Sequence, residues 1–309
     1  MATHRMLRAR PELTTVVEHV GQVRPAGVAA PVTALALTPD PSVAAVGVVV
    51  PARDEQERIG RCLRSLRRAL AHVPDGVDTA VAVVLDRCTD ATPQRVAAAL
   101  SDWPEATMLT VQDDESEPCP TIGRAGSVGR PRGGGVGALR DLGLRALLDR
   151  LSGHPAAGIW LLSTDADTTV PADWARAHLR HAADGVHGVA GLADLTATDH
   201  LAAAALSRYR TIVEHGMHGV AHRHMYGANL GVRADAYLAL GGFPCDGAGE
   251  DHALWQRLAA AGYTLAQPIG IRVRTSARLR GRADGGLAGL LRSLHGEGAR
   301  AGDALRDGA

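Results

Sequence analysis

The sequence of 309 residues contains no lysine, so all 33 of its basic side chains are arginines. Every fixed positive charge is therefore a planar guanidinium group, and catalytic schemes that need a lysine amine are excluded. The arginines are balanced by 33 Asp and Glu side chains, which gives a formal net charge of zero. This balance predicts neither a nucleic acid nor an anionic membrane surface as a partner.

Cysteine is also scarce, and long apolar runs are missing. The four cysteines, Cys62, Cys88, Cys119 and Cys245, lie far apart and form no Cys-x-x-Cys pair, which indicates free thiols in a reducing compartment. No apolar stretch reaches the roughly 18 to 20 residues of a membrane-spanning helix, and the N-terminus lacks the apolar core of a signal peptide. We therefore expect a cytoplasmic protein without a transmembrane segment, and peripheral membrane contact stays open.

What the sequence does contain is an alternation of buried strands and amphipathic helices. Residues 1–44 mix short apolar pieces with Pro, Gly and Thr, which predicts a weakly structured N-terminal extension. Strands are predicted at Ala44–Pro51, Thr79–Asp86, Ala106–Gln112 and Gly158–Asp165, and helices at Asp54–His72, Asp90–Leu100 and Val136–Leu151. The stretch between Asp113 and Gly135 is rich in Gly, Pro and charge and is predicted to be a mobile loop.

The second half does not alternate regularly between strands and helices. Helices are predicted there at His200–Val220 and from Glu250 to Tyr263. The segment Met225–Phe243 is predicted to run from a short strand into a helix, Thr264–Arg278 to be a strand, and a last helix to begin near Gly286. The alternation as a whole predicts the α/β class, with a doubly wound, mostly parallel sheet and flanking helices. Ligands of such sheets bind beyond the carboxyl ends of the strands.

Acidic side chains follow three of the predicted strands at these ends. Glu55 comes after the first strand, Asp86 ends the second, and Asp165 and Asp167 follow the strand Gly158–Asp165. Their hard oxygens suit Mg²⁺ or Mn²⁺, which take one or two carboxylates together with waters and substrate phosphates. An isolated Asp-x-Asp is more often a helix cap, but its position after a buried strand favours the metal site.

The segment "DADTT", which contains Asp165 and Asp167, also fits a phosphatase. It resembles the nucleophile motif of haloacid-dehalogenase-type phosphatases, in which Asp165 would attack phosphorus and Asp167 would act as acid and base. That motif normally stands near the start of the chain, whereas two strand–helix units precede it here. The lysine that neutralises the aspartyl-phosphate in such enzymes is missing. The phosphatase remains the alternative.

Two weaker signals lie in the second half. Four histidines occur in "HGMHGVAHRHM", and His224, which stands beside "YGANLG", is a candidate site residue together with Asn229. The run "RVRTSARLRGR" contains five arginines and no acid. Such a run forms either a solvated edge or a phosphate-binding surface, and Arg274 and Arg278 are its candidates for binding acceptor or phosphate.

Five segments, taken in order, resemble glycosyltransferases of the GT-A fold and most closely those of family 2. They are "VVVPARDE" at 48–55, "VVLDRCTDAT" at 83–92, "STDADT" at 163–168, "GANLGVRADAYLALGGF" at 227–243 and "GEDHALWQRLAAAGY" at 249–263. The resemblance implies a Rossmann-like nucleotide-sugar-binding half at residues 45–170 and an acceptor and catalytic half at 171–275. A C-terminal helix and tail would occupy 276–309.

The family's roles carry over to matching positions. The turn after the first strand and the acid that ends the second would bind the nucleotide-sugar, which implicates Pro51, Ala52, Arg53, Glu55 and Asp86. Asp167 would be the main ligand of a divalent cation, Mg²⁺ or Mn²⁺, and Asp165 would contact the ribose or the ion. Asp251 would be the general base of an inverting transfer, and Glu250 would orient the acceptor or the sugar.

The implied activity is metal-dependent, hexosyltransferase-type transfer of a sugar from a nucleoside-diphosphate sugar to an acceptor hydroxyl. The cation would stabilise the leaving diphosphate, and one carboxylate would take the proton of the acceptor. A retaining transferase, and a binding protein without turnover, remain open beside the phosphatase. The sequence does not identify the sugar, the nucleotide or the acceptor, and it does not indicate an oligomeric state.

Overall fold

Residues 43–112, 127–129, 135–244, 249–281 and 286–306 are described by a computed structural model. Residues 1–42 of the predicted N-terminal extension lie outside the described residues. Most of the predicted loop between Asp113 and Gly135 also lies outside them, so its mobility stays a prediction. Of the cysteines, Cys62 and Cys88 are described, and both are free thiols.

The strands of the described residues fall into one large sheet and two small ones. They are β1 Ala45–Ala52, β2 Asp78–Asp86, β3 Ala106–Gln112, β4 Ser127–Gly129, β5 Ile159–Ser163, β6 Gly188–Ala190, β7 Leu192–Thr196, β8 Met217–His218, β9 Ala221–His222, β10 Leu230–Arg233, β11 Leu265–Ala266 and β12 Arg272–Ser276. The large sheet has the order β11-β6-β10-β5-β1-β2-β3-β4. All of its pairs are parallel except those of β10, which runs antiparallel to β5 and β6.

The helices of the described residues alternate with the strands in the first half of the chain. They are α1 Ile59–Leu70, α2 Thr92–Leu100, α3 Val136–Arg150, α4 Trp174–Ala183, α5 Ala203–His215, α6 Ala234–Ala239, α7 Glu250–Ala260 and α8 Leu287–Arg306. None of these helices is long and apolar enough to cross a membrane.

β1 is buried on both faces of the sheet, which explains its continuous apolar sequence. Val46, Val48 and Val50 pack with α1 and α4 on one face, whereas Val49 packs with α3 and α7 on the other. α3 approaches the sheet closely at Gly143, where a Cβ atom would lie 2.4 Å from Cγ2 of Val49. The predicted fold class, α/β with a mostly parallel sheet between helices, is confirmed.

The helix predicted to begin at Asp54 begins five residues later, at Ile59, and has no acid in its first turn. The acids at the start of the predicted helix therefore precede the observed helix and do not belong to its first turn. Asp54 instead adopts a positive φ of 51°, and the carbonyl of Glu55 accepts hydrogen bonds from the N–H groups of Arg58 and Ile59. The acids at 54–57 thus belong to the turn that follows β1, and Glu55 is buried there.

The second half departs further from prediction. The helix predicted to reach Val220 ends at His215, because Gly216 follows and Gly219, at a φ of +60°, makes the turn of the β8–β9 hairpin. The segment predicted as one strand at Thr264–Arg278 forms the two separate strands β11 and β12, which pair with β6 and β7. Helix α4 and strands β6 and β7 had no sequence prediction, and strand β4 lies within the stretch between Asp113 and Gly135 that was predicted to be a loop.

Candidate active site at the carboxyl ends of the central strands

Three acid-bearing turns lie side by side at the carboxyl ends of three neighbouring strands of the large sheet. β5, β1 and β2 are neighbours in this order and run parallel, so the residues that follow them lie at the same edge. Glu55 follows β1, Asp165 and Asp167 follow β5, and Asp86 is the last residue of β2. We call Glu55, Asp165 and Asp167 the strand-end acids.

The turn after β1 is fixed by the turn after β2. The backbone N–H of Glu55 donates to Oγ1 of Thr92 at 2.7 Å, and Thr92 is fully buried at the start of α2. Oδ1 of Asp54 accepts hydrogen bonds from the N–H of Thr89 at 2.7 Å and from its Oγ1 at 3.1 Å. Such side-chain bonds rigidify an acid-bearing turn that has no regular secondary structure.

Asp86 is buried and lies between two arginines. Nε of Arg87 donates to its Oδ1 at 3.1 Å, and Nη1 of Arg53 lies 3.7 Å from its Oδ2. The side chain of Arg53 is 39% exposed, whereas Pro51 and Ala52 are buried within β1. A ligand at this end of the sheet therefore meets the Arg53 side chain more readily than those of Pro51 and Ala52.

Arg140 of α3 connects the strand-end acids to α7. Its Nε donates to Oγ of Ser163 at 2.9 Å, its Nη2 to Oδ1 of Asp165 at 2.6 Å, and its Nη1 to Oε1 of Glu250. The guanidinium is buried, and burial alone would lower its pKa, but the charges of Asp165 and Glu250 raise it. Arg140 therefore stays charged and holds one acid from each side of the site.

Asp167 is the more deeply buried aspartate of the Asp-x-Asp pair, with a side chain 7% exposed against 37% for Asp165. Nη2 of Arg278 lies 3.1 Å from its Oδ2, and Nη1 of the same arginine donates to Oε1 of Glu55. Burial raises the pKa of Asp167 to about 6; Arg278 opposes this shift, and the charges of Asp165 and Glu55 add to it.

Glu250 and Asp251 open α7, as the sequence predicts, and they have different environments. Glu250 is buried beside Arg140, and burial raises its pKa although the arginine opposes the shift. Asp251 accepts hydrogen bonds from the backbone N–H groups of Gly227 and His252, both at 2.8 Å. Burial alone would raise the pKa of Asp251, but the bonds from His252 and the charge of Arg140 lower it. Asp251 is therefore ionised at neutral pH.

Three predicted acceptor or phosphate residues lie away from these acids or have other partners. Asn229 is fully buried, with Nδ2 donating to the carbonyls of Leu192 and Ile271 and Oδ1 accepting from Nε1 of Trp174. Its polar atoms thus join strands and α4, so we no longer assign it to a ligand. Nε2 of His224 lies 2.8 Å from the carbonyl of Val213. Arg274 is exposed, and its backbone pairs with Thr169.

The site carries surplus negative charge. Five carboxylates, those of the strand-end acids, Glu250 and Asp251, have three guanidinium groups as partners or close neighbours, those of Arg58, Arg140 and Arg278. In the part of the chain that the structure describes, no group of three or more His, Cys, Asp and Glu side chains forms a complete metal site. Asp165 and Asp167 nevertheless suit Mg²⁺ or Mn²⁺, which need only one or two carboxylates when a diphosphate supplies further oxygens.

Sequence reasoning missed Arg140, which pairs with two of the acids, Asp165 and Glu250. The available signal was the pair Arg140-Asp141 in an otherwise apolar part of α3, and both side chains are buried. Buried charges are rare unless they are paired. Thr92 and Thr275 were also missed; Oγ1 of Thr275 lies 3.4 Å from Oδ1 of Asp167.

Comparison with known proteins gives the fold but no family. No family model matches the chain, and no curated protein matches its sequence. Among solved structures, the mannosyltransferase PcManGT from Pyrobaculum calidifontis, in complex with GDP-Man and Mn²⁺, is similar with a TM-score of 0.52 and 20% identity. S. aureus TarS 1–349 in complex with UDP-GlcNAc is similar with a TM-score of 0.52 and 13% identity.

The similarity extends over most of this chain but over less of its relatives. The match with the mannosyltransferase covers 76% of this chain and 58% of that protein. The match with TarS 1–349 covers 81% of this chain and 65% of that structure. The chain thus spans less than two thirds of either matched structure. At this identity the likeness shows the fold alone, so the chain shares the α/β fold of these two structures.

Proposed function

We propose that this protein is a glycosyltransferase that uses a nucleoside-diphosphate sugar as donor, of the GT-A type and family 2. The observation that carries the proposal is the set of strand-end acids beside Asp86 at the carboxyl ends of β5, β1 and β2, opposite the acids that open α7. The folds of PcManGT, which has GDP-Man bound, and of TarS, which has UDP-GlcNAc bound, support it.

In this proposal the first half of the site binds the donor. Asp86 accepts hydrogen bonds from the nucleobase or ribose, and Arg53 and Glu55 line the same turn beside the buried Pro51 and Ala52. Asp167, helped by Asp165, would hold a Mg²⁺ or Mn²⁺ ion. That cation would stabilise the negative charge that develops on the leaving diphosphate, and Mn²⁺ in the PcManGT complex supports this assignment.

The second half of the site would act on the acceptor. A hydroxyl is a weak nucleophile unless a carboxylate takes its proton during attack. Asp251 is ionised and is held by two backbone N–H groups, so it is the proposed base of an inverting transfer. Glu250 is bound to Arg140 and buried, which suits an orienting role better than proton transfer.

A donor screen tests the proposal. The protein is incubated with UDP-, GDP-, dTDP- and ADP-sugars, with and without Mn²⁺, and thermal melting and release of nucleoside diphosphate are measured. We expect at least one donor to raise the melting temperature only with Mn²⁺ and to be hydrolysed slowly to its nucleoside diphosphate. Asp167→Ala should abolish both effects, whereas Asp184→Ala, at an exposed position directly after α4, should not.

Other outcomes would point to the alternatives. Stabilisation by a donor without any release of nucleoside diphosphate indicates a binding protein. Release of phosphate from a phosphomonoester, with a trappable adduct on Asp165, indicates the phosphatase. Once an acceptor is known, a product that keeps the anomeric configuration of the donor would contradict the role of Asp251 as base.

A further inference from the structure

Arg278 lies directly against the carboxylate of Asp167, the proposed ligand of the cation. Its guanidinium lies between Glu55 and Asp167, with Nη1 bonded to Glu55 and Nη2 3.1 Å from Oδ2 of Asp167. The remaining oxygen of Asp167 faces Oγ1 of Thr275 at 3.4 Å. Both oxygens of the principal ligand therefore have a neighbour before any ion arrives.

The arginine neutralises charge that the fold has buried. Glu55 and Asp167 are both almost fully enclosed, and Oε2 of Glu55 is buried without a hydrogen-bond partner among the described residues, although Nη1 of Arg58 lies 3.9 Å away. Two enclosed carboxylates beside Asp165 repel each other strongly at low local dielectric. The guanidinium of Arg278 offsets this repulsion in the protein without ligand.

A guanidinium and a divalent cation that both contact Asp167 repel each other, unless further anionic oxygens such as those of a diphosphate lie beside them. Arg278 belongs to residues 277–281, which follow β12 and form neither helix nor strand. Its N–H donates to Oγ of Ser276, the last residue of β12, at 3.3 Å. The side chain is 22% exposed, so it can turn outward without opening the core.

We propose that Arg278 acts as the counter-ion of Asp167 in the nucleotide-free protein and moves to the diphosphate of the donor when a divalent cation binds. This inference rests on the proposed function. The planar guanidinium fits phosphate oxygens in a bidentate way, so the arginine exchanges one anionic partner for another. The exchange makes binding of the metal alone weak and ties tight metal binding to the presence of donor.

The test compares Mn²⁺ alone with Mn²⁺ plus nucleotide in three variants. Binding is measured by calorimetry on the full chain, first with Mn²⁺ and then with UDP and GDP at saturating Mn²⁺. Arg278→Gln should bind Mn²⁺ alone at least about tenfold more tightly than the unmodified protein, since a competing charge is gone. The same variant should bind the nucleoside diphosphate about tenfold more weakly, since a phosphate contact is lost.

Two further variants make the result interpretable. Arg278→Lys keeps the competing charge and should bind Mn²⁺ alone about as weakly as the unmodified protein. Arg280→Gln removes an exposed arginine of the same segment and should change neither affinity. Melting curves show that each variant is folded.

The inference is overturned if Arg278→Gln binds Mn²⁺ alone equally or more weakly while the unmodified protein still binds nucleotide. It is also overturned if both affinities change in the same direction. A failure of the proposed function looks different, because the unmodified protein would then bind neither UDP nor GDP with Mn²⁺.

Discussion

The charged carboxylate of Asp167 should reduce the stability of the protein at neutral pH. Replacing it with an uncharged side chain should therefore raise the free energy of unfolding by a measurable amount. Burial raises the pKa of Asp167 from 3.8 to about 6, so the folded state holds the proton more tightly than the unfolded state. Stability linked to this group is therefore greatest at low pH and falls as the pH rises through the interval between the two values. The perturbation is Asp167→Asn, which keeps the shape and removes the charge.

The size of the effect follows from the shift. A difference of about two pKa units corresponds to about 3 kcal/mol at pH 7.5, and roughly half of that at pH 5. The amide group of asparagine must find an acceptor in the same enclosed place, so we expect a net gain of about 1 to 2 kcal/mol. For a domain of this size that gain raises the melting temperature by about 3 to 6 °C.

The assay is thermal unfolding of both proteins between pH 5 and 8 in the presence of EDTA. The gain of Asp167→Asn should be largest at pH 7.5 and shrink toward pH 5. Asp184→Asn, at an exposed position, should show no such trend. A variant that is less stable at pH 7.5, or a gain that does not depend on pH, would refute the reasoning from burial.

Three further predictions concern other residues of the site and its surroundings. Asp251→Asn should lower the rate of sugar transfer by about 100- to 10,000-fold and leave donor affinity within about twofold, as seen in steady-state kinetics and calorimetry. Arg140→Gln should cost about 3 to 5 kcal/mol in urea unfolding, because Glu250 stays buried without its charged partner. Asn229→Ala should cost about 2 to 4 kcal/mol, because several buried groups lose their partners, while donor affinity in the folded protein stays unchanged.

Each of these has a clear contrary result. Glu214→Gln, on the exposed side of α5, is the control for loss of one carboxylate, and Asp251→Asn would have to behave like it for the base assignment to fail. An Arg140→Gln protein as stable as the unmodified one would show that the arginine is not needed to compensate Glu250. Weaker acceptor binding in a fully stable Asn229→Ala protein would restore the original role of that residue.

Four strands of the first half, β1, β2, β3 and β5, were predicted well because their signal is local, whereas β4 lies in a stretch that was predicted to be a loop. β3 matches the predicted Ala106–Gln112, and β1, β2 and β5 differ only at their ends. A buried parallel strand is a short apolar run, which a reader of the sequence can recognise without knowing its neighbours. The acids that follow these runs could be predicted to lie close together, because the carboxyl ends of parallel strands lie on the same side of a sheet.

The ion pairs of the site could not be predicted in this way, because they join distant parts of the chain. Arg140 meets Glu250 across 110 residues, and Arg278 meets Glu55 across 223. Neither periodicity nor spacing encodes such a contact. Asn229, the only asparagine of the sequence, was a candidate for the acceptor or phosphate site, and its side chain instead bonds to Trp174 and to the carbonyls of Leu192 and Ile271 in the interior.

Calorimetric titration of UDP and GDP into the protein, with Mn²⁺ and with EDTA, tests the central claim most directly. We predict that at least one of the two nucleotides binds with Mn²⁺, that EDTA abolishes this binding, and that Asp167→Ala abolishes it as well. If neither nucleotide binds, or if binding is unaffected by both EDTA and Asp167→Ala, the strand-end acids are not a donor site.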